Sequence, residues 1–306
     1  MPLLGRRGFT LVELMIAIVL LGIFATGVYK VLLNNQRTFA AQTQRIDLQQ
    51  NIRAAATILP GEFREMDAGD SDIVAMDSSS ITIRAMRQLA FICDAPVLGG
   101  GAGNISFTVR QTPFFGNRQS FQAGDSVLVF YEGNPARRSD DQWVRGAVVS
   151  SSNLACTDGL SAGFQLQLQP QWINGNVGFN VAGAITAGSP VRGFTSLTYR
   201  LWQSPSDNLY YLAQQVGNGT PQPLVGPLMG ANGLGFTYYD STGTTTTGDR
   251  AQVALIGVKV RGRTSQVIRQ ANDPALAYKY DSVSIQVALR NNPRCGPGSM
   301  PFRACG

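Results

Sequence analysis

The sequence predicts an α+β protein: one long N-terminal helix, apolar at first and amphipathic later, followed by a β-rich antiparallel globular head. Three observations predict it. Between Phe9 and Tyr29 the only charge is Glu13. Beyond that run, Leu48, Ile52, Ala55, Leu59, Phe63 and Met66 recur at steps of three or four, the spacing of one helix face. From Asp67 onward this period is lost, and short stretches rich in β-branched and aromatic residues alternate with turns drawn from 34 Gly and 15 Pro.

Residues 1–8 read as a short leader carrying Arg6 and Arg7. The segment 9–29 is long enough as a helix, at about 1.5 Å per residue, to cross a hydrocarbon layer of about 30 Å. The positive-inside rule places Arg6 and Arg7 in the cytoplasm and the head on the far side of the membrane. An ordinary secretory signal has its small-residue cleavage site after the apolar run, whereas Gly8 lies before it, so cleavage at Gly8 keeps the span. Glu13 is the anomaly, because a carboxylate inside an apolar segment costs about 2.5 to 3.5 kcal/mol on insertion scales and calls for a partner. A newly exposed α-amino group on Phe9 of an adjacent subunit is a suitable cation. The simpler alternative is a glutamate that snorkels to the headgroups.

Between the span and the amphipathic stretch, Asn34, Asn35, Gln36, Gln42 and Gln44 mark a polar, exposed stem, with Leu32, Phe39 and Ile46 at steps of seven. Pro60-Gly61 should kink or stop the helix near Leu59 and leave a short second helix to Met66. The domain division expected is 1–8 leader, 9–67 helix and 68–306 head, the head in one body or two lobes.

Strand candidates are Ser80 to Arg84, Leu89 to Cys93, Ile105 to Arg110, Ser126 to Tyr131, Trp143 to Val149 and Phe164 to Gln169. A hairpin follows, Leu197 to Trp202 and Leu209 to Ala213 around Ser204-Pro205-Ser206-Asp207-Asn208. Gly235 to Tyr239, Val253 to Val260 and Ser282 to Leu289 complete the set, and no strand-helix alternation suggests a parallel sheet.

The sequence contains no histidine, which excludes Ser-His-Asp and Cys-His nucleophile activation and histidine-containing zinc sites. No catalytic cluster and no cofactor motif is found, so enzymatic activity is not expected. Gly99-Gly100-Gly101-Ala102-Gly103-Asn104 lacks the Lys-Ser/Thr ending of a phosphate loop and reads as a connection. Asp67, Asp70 and Asp72 could supply oxygen ligands to calcium, but they lack the spacing and closing Glu of an EF-hand loop and read as a solvated junction between helix and head, with no metal expected. The loop from Asp240 to Asp249 reads as a polar connection, and Tyr199, Trp202, Tyr210 and Tyr211 as cross-strand packing. The net charge of +6 falls to +4 without the two leader arginines. Arg137-Arg138 and the trio Arg261, Arg263 and Arg269 are candidate DNA phosphate contacts, although arginines on exposed strands are commonplace.

There are four cysteines. In an exported chain such cysteines form disulfides. Cys295 and Cys305 close a local terminal loop, which leaves Cys93 with Cys156 by elimination. Two other connectivities and free buried thiols stay open.

Gly8 followed by Phe9-Thr10-Leu11-Val12-Glu13-Leu14, preceded by basic residues and continued by an apolar helix, resembles the signal of type IV prepilins and type II secretion pseudopilins. The resemblance implies cleavage after Gly8 by a prepilin peptidase, N-methylation of Phe9, and Glu13 acting in subunit docking. It also implies partners among other pilin or pseudopilin subunits and an inner-membrane assembly platform. The order of elements, with Gly124-Asp125-Ser126-Val127-Leu128-Val129, Leu209-Tyr210-Tyr211-Leu212, Gly233 to Asp240 and Val258-Lys259-Val260-Arg261, resembles PilW-like minor pilins and J-type pseudopilins. The segment 9–59 departs from major pilins in having no proline, with Gly22 and Gly27 left to loosen the helix. The function expected is a minor pilin of a type IV pilus or its tip complex, held in the inner membrane before entering the filament. The alternatives are a type II secretion pseudopilin and a tip adhesin or DNA-uptake receptor.

Overall fold

The computed structural model describes residues 10–98, 104–116, 118–132, 136, 141–159, 161–171, 185–270 and 273–290. One helix, α1 (Leu11–Phe63), precedes fifteen strands among the described residues. These are β1 (Ile73–Met76), β2 (Ser80–Leu98), β3 (Ile105–Arg110), β4 (Phe115–Gly116), β5 (Ser126–Tyr131), β6 (Gln142–Asn153), β7 (Gly163–Gln171) and β8 (Pro190–Gln203). Then come β9 (Tyr210–Val216), β10 (Gln222–Leu228), β11 (Leu234–Tyr239), β12 (Leu255–Arg263), β13 (Ile268–Gln270), β14 (Asp273–Ala277) and β15 (Tyr280–Ala288). The α+β class with an antiparallel body is as expected from the sequence.

The chain divides into two compact units, residues 1–50 with 263–281, and residues 51–262 with 282–306. In the first, the helix is accompanied by the hairpin β13–β14, whose register pairs Ile268 with Ala277 and Arg269 with Leu276.

The second unit is organised by two long strands. β2 and β8 pair antiparallel from Ser80↔Arg200 to Phe91↔Pro190, with an irregularity between Met86 and Gln88. That bulge adds Arg87 to β2 and shifts the side-chain alternation by one residue. Before it, Ile81, Ile83 and Ala85 point into one apolar core. After it, Ala90 and Ile92 point into another.

The second core lies within a closed ring of strands. β2 pairs β3, β3 pairs β7, β7 pairs β6, β6 pairs β5, β5 pairs β8, and β8 returns to β2. This is a six-stranded antiparallel barrel. Alternate residues fill it, among them Phe107 and Val109 of β3, Leu166 and Leu168 of β7, and Val127 and Val129 of β5. Such a barrel is too narrow to leave a lumen and is packed with side chains. Gly193 on β8 permits the closure, because a Cβ there would meet Gln88 Oε1 at 2.6 Å and the Phe121 ring at 2.9 Å.

The first core belongs to an open sheet that continues from β8 through β9, β10 and β12 to β11, with β1 on the other side of β2 and β15 on β12. The end of α1 packs on it. Ala55, Leu59 and Phe63 join Ile81, Tyr199, Leu212, Phe236 and Val258 in this core. The barrel is therefore a continuous insertion between the two halves of a helix-on-sheet body.

The helix does not stop at Pro60: α1 runs through it to Phe63, and Arg64 N donates to Pro60 O at 3.1 Å. Proline removes a single N–H so close to the helix end, and full burial of Leu59 and Phe63 on either side holds the turn. The separate helix to Met66 is accordingly absent, although Met66 is buried as predicted. The candidates Ser80 to Arg84 and Leu89 to Cys93 prove to be one strand. The hairpin β8–β9 forms as expected, with Trp202 opposite Tyr211 and their rings 6.4 Å apart.

Candidate functional site

The helix begins with a reciprocal cap. Glu13 N donates to Thr10 Oγ1 at 3.3 Å, while Thr10 N donates to Glu13 Oε2 at 2.9 Å. Two of the N–H groups that every helix start leaves unpaired are thus satisfied within the chain. Glu13 has a local role beside the one expected for it in docking. The Thr-x-x-Glu spacing of Thr10 and Glu13 is the sequence signal for this cap.

From Leu11 onward the helix carries a window of mean hydropathy 2.5, none of it buried. Leu14, Ile18, Leu21 and Phe24 are all more than half exposed. The helix passes through Gly22 and Gly27 without interruption. A surface this apolar needs a bilayer or other helices around it. Further along, Leu32, Phe39 and Ile46 are 54%, 72% and 53% exposed, so the seven-residue stripe stays free in the polar stem.

In the other unit, the turn after α1 gathers the three aspartates. They are not a solvated junction. Asp72 is 1% exposed. Its Oδ2 accepts from Arg192 Nη2 at 3.2 Å and from Asp67 N at 2.9 Å. Trp143 Nε1 donates to Asp70 Oδ2 at 2.6 Å, and the Arg192 guanidinium lies 4.9 Å from the centre of the Trp143 ring. Burial raises the Asp67 carboxyl to about 6, helped by the charges of Asp70 and Asp72. Burial also raises Asp72, outweighing the nearby Arg192. Among the described residues no group of three or more acidic, histidine or cysteine side chains is placed to hold a metal. The cation in this cluster is a guanidinium from the barrel wall.

Cys93 of β2 and Cys156 in the β6–β7 connection form a disulfide with their Cα atoms 5.8 Å apart. Thr157 N, next in the chain, donates to Asp94 Oδ1 at 3.0 Å. The Asp240–Asp249 loop is a structured connection, in which Thr247 N donates to Tyr238 O at 3.0 Å and Asp249 caps the short 3-10 turn Arg250–Gln252. Of the candidate arginines, Arg263 lies over the Tyr278 ring at 4.3 Å and Arg269 is exposed. Arg6, Arg7, Gly8, Phe9, Cys295, Cys305, Arg137, Arg138 and the loop Gly99 to Gly103 lie outside the described residues.

The prokaryotic N-terminal methylation motif matches residues 4–29, which include Gly8, Phe9 and Glu13. No curated protein and no solved structure matches the chain. The chain thus carries the type IV pilin signal on a helix whose apolar surface is consistent with a membrane anchor.

Proposed function

We propose that the chain is a minor pilin, a structural subunit that enters a type IV pilus or its tip complex through α1. The observation carrying this reading is the methylation motif joined to an apolar helix surface that no described residue of its own chain covers. A prepilin peptidase would cut after Gly8. The new amino group of Phe9 would then be free to pair with Glu13 of a neighbour, and the exposed stripe Leu32, Phe39 and Ile46 would extend the helix contact beyond the bilayer. Other pilins and an inner-membrane assembly platform are the partners, and the body carries no covalent chemistry.

Intact mass and N-terminal sequencing of the membrane-extracted protein, wild type and Gly8→Arg, test the reading. The wild type should begin at Phe9 with one added methyl group, and the variant should keep its leader. A wild type that retains Met1, or is cut after the apolar run, overturns it. Loss of surface filaments on deletion, with protein secretion intact, would distinguish the pilus from the secretion machine.

A further inference from the structure

Beside the polar stem, α1 and the hairpin β13–β14 enclose a cleft of about 720 Å³, within the size range of small-molecule sites. Asn34, Arg37, Ala41 and Arg45 line its helix side, and Arg269 and Leu276 its hairpin side. The helix residues share one face, with the small Ala41 as its floor. At about 100° per residue, Leu32, Phe39 and Ile46 lie between about 140° and 180° away from Ala41 around the helix. The cleft is therefore separate from the stripe assigned above to helix contact.

The sequence builds this cleft. Ser265 Oγ donates to Gln44 Oε1 at 2.7 Å and Gln266 N to the same oxygen at 3.3 Å, fixing the base of the hairpin to the helix. Thr264 and Lys279 close the base, with Thr264 N donating to Lys279 O at 2.9 Å and Lys279 N to Thr264 Oγ1 at 3.1 Å. Ile268 is buried, while its neighbour Arg269 and the cross-strand partner Leu276 are exposed, Leu276 to 66%. Among the described residues, none of Arg37, Arg45 and Arg269 forms an ion pair.

Position identifies the occupant. The apolar span ends at Tyr29, and the backbone of Arg37 lies about 12 Å further along the axis, just outside the headgroup layer that adds about 5 to 7 Å to each side of the hydrocarbon. A guanidinium on its three-carbon stem reaches back toward that layer, and an exposed leucine beside it suits acyl chain or glycerol. We infer that this cleft is a binding site for the headgroup of an anionic phospholipid, gripped by Arg37 and Arg269 with Leu276 toward the chains. The site would hold the subunit at the bilayer surface before assembly. This rests on the membrane-anchor reading of α1.

The test uses the full chain in nanodiscs of equal phosphatidylglycerol and phosphatidylcholine, followed by gentle extraction and native mass spectrometry of the lipids retained. The wild type should keep phosphatidylglycerol in preference, and Arg37→Gln with Arg269→Gln should lower that preference, by about fivefold for each arginine. Arg53→Gln, further along the same helix, should leave it unchanged. Equal retention of the two lipids, or a preference that survives the double variant, overturns the inference. So does displacement of the lipid by millimolar inorganic phosphate, which would make this a site for free anions. A cross-link from Arg269→Cys to a neighbouring subunit, without lipid preference, would assign the cleft to a protein partner instead. Carbonate extraction of the same membranes checks the anchor itself: a chain released by carbonate fails the membrane reading, while one that stays but shows no lipid preference fails only this site.

Discussion

Arg192 and Asp72 meet as an ion pair, Nη2 to Oδ2 at 3.2 Å, with side chains only 10% and 1% exposed. Arg192 stands on β8, in the wall of the barrel, and Asp72 ends the turn that follows α1. The pair therefore joins the inserted barrel to the end of the helix. Among the described residues Asp72 Oδ1 is buried without a hydrogen-bond partner, so the carboxylate depends on Arg192 and on the N–H of Asp67 for its charge.

Removing one partner of a sealed pair leaves the other charged and unsolvated. Arg192→Met should lower stability by about 3 to 5 kcal/mol, and adding Asp72→Asn should restore much of that loss. Urea unfolding of the detergent-solubilised chain, followed by tryptophan fluorescence, measures both. A single variant as stable as wild type would show that the contact contributes nothing.

The same cluster makes stability depend on pH in a direction opposite to that of most surface aspartates. The Asp67 carboxyl lies at about 6 in the folded chain, above its ordinary value of 3.8, because burial and two neighbouring carboxylates oppose its charge. Between those values the folded state holds the extra proton, so its contribution is full below 3.8 and is lost as pH rises through about 6. Asp72, also raised, acts in the same sense. Asp67→Asn should therefore raise the melting temperature at pH 7.5 and change it little at pH 4. An equal shift at both values would remove ionisation from the explanation.

Much of this architecture was legible in the sequence, and what was missed has physical reasons. The apolar face from Leu48 to Met66 could be read because a helix repeats its burial every three or four residues, and all six positions are buried. Strands β3 and β5 matched their predicted bounds because each is a short run of β-branched and aromatic residues between turn signals. β10 was missed because Pro223 and Pro227 read as breakers, and β1 because four residues carry too little periodicity. Barrel closure was invisible for a deeper reason: the bulge at Arg87 and the pairing of β2 with β8 across about 110 residues are tertiary facts with no local signature. The aspartates were misread for the same reason. Their partner Arg192 lies 120 residues away from Asp72, and sequence spacing alone suggested a solvated junction.

The attachment of α1 to the sheet should be concentrated in Phe63. This ring is fully buried, 5.9 Å from the ring of Tyr199 and 6.2 Å from that of Phe236. Phe63→Ala should cost about 3 to 5 kcal/mol, whereas Thr57→Ala on the exposed side should change stability by less than about 0.5 kcal/mol. Thermal unfolding of the two variants in parallel tests the contrast. Equal small losses would mean that the helix end contributes little to the fold.

The disulfide should protect the barrel more than the rest. Cys93 and Cys156 are 63 residues apart in sequence, and closing a loop of that length is worth about 4 kcal/mol in the chain-entropy account. The bond lies wholly within the insertion, however, and β2 and β8 already fasten the insertion at both ends to the open sheet. Local opening of the barrel is the motion that the bond opposes most directly. Cys93→Ser with Cys156→Ser should therefore speed hydrogen exchange first in β3, β6 and β7, while amides of β9 and β12 keep their protection. If exchange instead rises equally in both groups, the barrel and the open sheet unfold as one cooperative body, and the two cores lack independent stability.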